Sequence, residues 1–147
     1  MKWKKGRGKL DQFDPLLGKW RAQSDSSLGL VTCVREFTRA LDGRYVHLCA
    51  SWLTGDTAYS ELALIGVNPG KNICFWSFTS DGKQSQGLLA DVTDVHPEAI
   101  GFEAQMPAGL ARMAYWPDDE DGFYWAVESK TKKGWNRFVE HHYTKTK

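Results

Sequence analysis

The side chains able to do chemistry fall in two stretches. The first holds Arg35 and Arg39, four residues apart in a run rich in Val, Thr and Phe. A guanidinium presents a fixed fork of N–H donors that fits a carboxylate or another acidic head group. The second is the C-terminal run from Trp135 to Thr144, in which Arg137, His141 and Tyr143 recur at even spacing with Trp135 and Val139. A few polar groups on a mostly apolar wall make the composition of a small-molecule pocket.

Other chemistries lack their residues. His141 and His142 are neighbours on a predicted strand, so they point apart and do not chelate one metal together. His47 lies mid-strand and His96 precedes a proline, neither with ligand spacing. The acidic run Asp118-Asp119-Glu120-Asp121-Gly122 lacks the alternating pattern of a calcium loop and reads as a solvated loop. There is no G-x-S-x-G elbow, phosphate loop or H-E-x-x-H helix, so the chain points to binding without catalysis. Cys33, Cys49 and Cys74 are odd in number and form no C-x-x-C pair, so they read as small buried hydrophobes.

Strands must position these groups. Turn chemistry recurs about every ten residues, at Ser24–Ser27, Asp42-Gly43, Gly55-Asp56, Asn68-Pro69-Gly70, Ser80–Lys83, His96-Pro97, Pro107–Gly109, Pro117–Gly122 and Lys132–Gly134. Between them strands are predicted over 18–23, 28–41, 44–53, 59–67, 73–79, 84–93, 99–106, 110–116, 123–130 and 135–144. A meander of about ten strands without covering helices exposes two edges, and closing it into a barrel removes them. A barrel of that strand number has room for a ligand. A β-sandwich is the alternative. The apolar sides of the seventh and ninth strands add Phe102 and Trp125 to the candidate ligand wall.

Asp42-Gly43 also sets a register. With those two as the loop, Leu41 faces Arg44, and Phe37, Arg35, Arg39 and Cys33 oppose Leu48, Ala50, Val46 and Trp52. These eight share one face. Tyr45, His47, Cys49 and Ser51 share the other, so Cys33 and Cys49 are not disulfide-bonded. If the first face points inward, Arg35 and Arg39 each need a carboxylate from protein or ligand. If it points outward, both are solvated. On the last strand Trp135, Arg137, Val139, His141 and Tyr143 are expected inside, because that face carries more apolar area.

Leu16-Leu17-Gly18-Lys19-Trp20 precedes all of this. Asp14-Pro15 opens one helical turn, Gly18 lets the chain turn, and Trp20 plugs a barrel end with its indole N–H on a carbonyl. This L-x-G-x-W run, followed by Leu41-Asp42-Gly43-Arg44-Tyr45 and Gly134-Trp135-Asn136-Arg137-Phe138-Val139-Glu140, resembles the calycin superfamily over residues 13–144. It looks most like a bacterial family of lipocalin-like domains, and more distantly like nitrobindins and fatty-acid-binding proteins. The resemblance implies an up-and-down barrel, often with interior arginines. Its nitrobindin branch implies haem as cofactor, with His141 as the iron ligand. The chain departs from the nitrobindin pattern after Trp20, where Arg21-Ala22-Gln23 stand in place of a further glycine.

Length and charge bound the rest. A chain of 147 residues makes one domain and buries a core without disulfides. The formal charge is +1, but Lys2, Lys4, Lys5, Arg7 and Lys9 crowd the first nine residues, so the remainder sums to −4. Residues 1–12 read as a basic, disordered tail, and 13–147 as the barrel domain. No overall field argues for nucleic acid, and no apolar run is long enough for membrane insertion or a signal peptide, which points to the cytoplasm. The expected fold is all-β, a single antiparallel up-and-down barrel with a short N-terminal helical turn. The expected function is binding of a small hydrophobic or amphipathic molecule by Arg35, Arg39, Phe102, Trp125, Arg137, His141 and Tyr143, with no metal. The alternatives are a haem protein, and a packed domain that binds partner proteins through an edge strand or its basic tail.

Overall fold

Apolar residues alternating between turn signals make the strands, and a computed structural model gives their arrangement for residues 2–26 and 29–146. They are β1 (Gly18–Ser26), β2 (Gly29–Ala40), β3 (Tyr45–Thr54), β4 (Thr57–Val67), β5 (Ile73–Thr79), β6 (Gln84–Ala90), β7 (Ile100–Met106), β8 (Gly109–Pro117), β9 (Phe123–Thr131) and β10 (Gly134–Lys145). Each pairs antiparallel with its sequence neighbour, and β10 pairs with β1 to close a barrel. The single up-and-down barrel is therefore the fold. Ser27 of the expected first turn and Leu28, the expected start of the second strand, lie outside the described residues.

The β2–β3 register follows the sequence expectation. Phe37 pairs Leu48, Arg35 pairs Ala50, Arg39 pairs Val46 and Cys33 pairs Trp52. The turn itself is longer than two residues. Leu41, Asp42 and Gly43 all have positive φ, and the strands stop at Ala40 and Tyr45. Cys33, Phe37, Val46, Leu48 and Ala50 are buried, so this face points inward. Cys33 and Cys49 are free thiols on opposite faces. Cys49 is exposed, against the expectation of burial, because it belongs to the outer face.

The last strand breaks its own alternation. Arg137 pairs Glu128, but Val139 pairs Val127, so Phe138 is an extra residue in a β-bulge. Past the bulge Val139, His141 and Tyr143 share the face of inward Val127, Trp125 and Phe123. Before it, Trp135 and Arg137 share the outer face with Lys130 and Glu128. The expectation that Arg137 points inward with His141 and Tyr143 therefore fails: one unpaired residue reverses the sides of everything ahead of it.

The helical segment starts earlier than Asp14-Pro15 suggests. A 3-10 helix spans Lys9–Leu16, and Asp14-Pro15 form its last turn. The Gly8 N–H donates to the Asp11 carboxylate at 2.8 Å, which fixes the start. Leu10, Phe13 and Leu16 are buried, and Phe13 stacks on Phe102 inside the barrel at 5.8 Å between centroids. The helix thus closes one end. Part of the stretch read as a tail packs against the barrel. Trp3 is buried, and its N–H donates to Glu98 at 2.9 Å. Trp20 donates its indole N–H to the Leu16 carbonyl at 2.7 Å, as the sequence implies. Gly18 between them has φ +126°, and a Cβ there would run into the Lys145 side chain.

Two places in the barrel wall are thinly paired. The β1–β10 seam rests on Trp20↔Lys145 and Arg21↔Thr144, extended by the Thr146 N–H on the Lys19 carbonyl. Between β6 and β7 only Leu88↔Glu103, Leu89↔Phe102 and Ala90↔Gly101 pair, so the sheet parts between Ser85 on one side and Ala104 and Met106 on the other.

Candidate ligand-binding site

Arg35 extends from β2 across the interior to β8, β9 and β10. Its Nε donates to the Tyr143 hydroxyl at 3.2 Å and its Nη1 to the Tyr115 hydroxyl at 2.8 Å. Its guanidinium carbon lies 4.0 Å from the Trp125 ring centroid and 5.7 Å from that of Trp52. The side chain is 1% exposed. None of the ion pairs among the described residues includes it. Among the described residues its Nη2 has no hydrogen-bond partner, and neither has the indole Nε1 of Trp125. Burial opposes the charge, but Tyr115, Tyr143 and Glu61 outweigh it and hold the pKa of Arg35 above arginine's ordinary value.

The surrounding groups are neutral. Burial pushes the Tyr115 and Tyr143 phenols up, and pushes the Cys33 thiol up as well. Burial pushes His141 down, and the Arg35 charge pushes it further. The neutral ring of His141 lies with Nδ1 3.4 Å from the Tyr143 hydroxyl, which can donate to it while accepting from Arg35.

Beside this cluster is a cavity of about 480 Å³. Phe75, Phe102, Met113 and Val127 give it an apolar lining, and Glu61, Ser85 and Ser129 add polar points. Met113 and Val127 are the next inward residues after Tyr115 and Trp125, so cavity and cluster share two walls. Glu61 alternates with inward Ala63 and Ile65 on β4, and its carboxylate accepts from the Ser77 hydroxyl. Ser85 and Met106 reach the cavity where β6 and β7 part, and the bulged Phe138, more than half exposed, stands at the rim.

The structure therefore brings together Arg35, Trp125, His141 and Tyr143, and sets Phe102 in the cavity wall. It does not bring Arg39 or Arg137 there. Arg39 Nη2 pairs with Asp11 at 2.7 Å and Asp14 at 2.9 Å, tying the 3-10 helix to β2. Arg137 on the outer face pairs with Glu128 and Glu140, and Glu128 also holds Arg112, which pairs with Asp94. His142 points outward to Asp118 at 2.7 Å and stacks on Tyr124. Burial works to raise Asp118, but His142 and the N–H groups of Glu120 and Gly122 overcome it and hold the carboxyl below its ordinary range. The sequence reading missed Tyr115, Glu61 and Ser77. A visible signal existed for Glu61, a carboxylate in step with apolar Ala63 and Ile65.

No protein-family model matches the chain, and no curated protein matches it. Among the described residues no group of three or more His, Cys, Asp or Glu could hold a metal ion, and no helix is long and apolar enough to cross a membrane. The lining of the cavity contains no histidine, and His141 lies beside it against Trp125 and Tyr143.

Proposed function

We propose that the protein binds a small, mostly hydrophobic or amphipathic molecule inside the barrel. The observation that carries this reading is the apolar cavity of about 480 Å³, a size within the range of small-molecule pockets. Removing apolar ligand surface from water there contributes roughly 25 cal/mol per Å². The ligand enters where β6 and β7 part, at Ser85 and Met106. The closed ten-stranded barrel is compatible with a calycin-like fold, and the lipocalin-like resemblance of Leu16–Trp20, Leu41–Tyr45 and Gly134–Glu140 supports the same reading.

Native mass spectrometry of protein purified from its own host tests the proposal. A retained mass released by organic solvent is expected. Absence of any retained mass, together with failure to take up a small apolar fluorescent dye, would end it.

A further inference from the structure

The polar groups that line the cavity leave an acceptor open. Glu61 is the one carboxylate among the described lining residues, carried inward by β4 in step with Ala63 and Ile65. The Ser77 hydroxyl donates to its Oε2, and among the described residues its Oε1 has no hydrogen-bond partner. The hydroxyls of Ser85 and Ser129, on the same lining, have none either. The cations of the lining, Arg112 and Lys130, stand on the outer faces of β8 and β9 against Trp135. Inside the barrel the negative charge of Glu61 acts on Arg35, so the two charges offset one another.

We infer that Glu61 selects the polar end of the guest, so that the cavity takes an uncharged amphipath whose hydroxyl donates to the open carboxylate oxygen. This rests on the reading that the cavity holds a small molecule. A guest displaces water from Glu61, and a carboxylate oxygen stripped of water without a new donor is costly. An ether or ketone has no proton to give. An ionised acid has none either, and it sets a second negative charge against the first. An ammonium has protons, but it competes with Arg35 for the same counter-charge and must shed its own hydration. A hydroxyl gives one proton to Glu61 in a charge-assisted bond and keeps lone pairs free to accept from a serine. Phe75, Phe102, Met113 and Val127 take its hydrocarbon part.

Isothermal titration calorimetry of the full chain at pH 8 tests this with octanol, its isomer heptyl methyl ether, octanoate and octylamine. Octanol is expected to bind about tenfold or more tighter than the ether, which matches it in size and lacks only the O–H. Octanoate and octylamine are both expected to bind more weakly than octanol. Glu61→Leu is expected to abolish the preference of octanol over the ether. Glu61→Gln keeps the shape, removes the charge and adds a donor, so octanoate affinity is expected to rise about threefold or more while that of octanol falls. Thermal melts report folding, and Glu61→Gln carries the test alone if Glu61→Leu does not fold. Ether, octanoate or octylamine binding as tightly as octanol, or octanoate unchanged in Glu61→Gln, overturns the role of Glu61 and leaves the cavity reading standing. If none of the four binds, the cavity reading falls and this selection with it.

Discussion

The guanidinium of Arg35 lies over the indole of Trp125, 4.0 Å from the ring centroid, and each of the two keeps one N–H without an acceptor. A desolvated cation–π contact stabilises by about 2 kcal/mol. That offsets part of the cost of placing a charge among Phe37, Cys33 and Leu48, but it uses the face of the guanidinium and leaves its edge free.

Glu128 bridges two arginines, one buried and one half-buried, and the two contacts differ in weight. Arg112 is 5% exposed and relies on Glu128 and Asp94, whereas Arg137 is about a third exposed. Glu128→Ala is expected to destabilise by about 3 kcal/mol, because it strips a buried cation of one counter-charge. Arg137→Ala is expected to cost under about 1 kcal/mol. Urea denaturation of the two variants measures the difference, and equal losses would contradict this account of the outer network.

His141 makes stability depend on pH in one direction. Burial and the Arg35 charge hold its folded pKa below the ordinary histidine value, so the unfolded chain takes up its proton first as pH falls. Stability contributed by the neutral ring is present above the ordinary histidine range and is lost as pH falls through that range towards the lower folded value. The carboxylates held below their ordinary range, Asp11, Asp94 and Asp118 among them, act at lower pH, as pH falls towards their folded values. His141→Asn is expected to flatten the upper of the two limbs and leave the lower one. Thermal melts at half-unit intervals check this.

Met106 stands where the wall parts between β6 and β7. Met106→Trp is expected to slow uptake of a small apolar dye in stopped-flow mixing, with stability unchanged to within about 0.5 kcal/mol because the side chain is more than a third exposed. Unchanged uptake would place the entrance elsewhere.

Local rules made much of this fold legible. The register of β2 and β3 followed from Asp42-Gly43 and strict alternation, and Trp20 places its indole N–H on a backbone carbonyl as expected, that of Leu16. Arg35 could be assigned a face but not a set of partners, because Tyr115, Trp125 and Tyr143 reach it only through closure of the barrel. The bulge at Phe138 left no mark in residue type, with neither Gly nor Pro beside it, so Arg137 was read on the wrong side. The plug formed by residues 9–16 was hidden by their charge. Lys9, Asp11 and Asp14 carry the charge, while Leu10, Phe13 and Leu16 do the packing.

Phe138 has a further bearing on how such a barrel can vary. Changing the length of a strand ordinarily swaps the sides of every residue on one flank. Loss of residue 138 would instead leave Arg137 against Glu128 and Val139 against Val127, both on the sides they now occupy. The final strand can therefore gain or shed one amino acid by insertion or deletion without rewriting any other pair. The amino acid gained or shed is the one that overhangs the opening, so selection can reshape what passes that rim by a single codon.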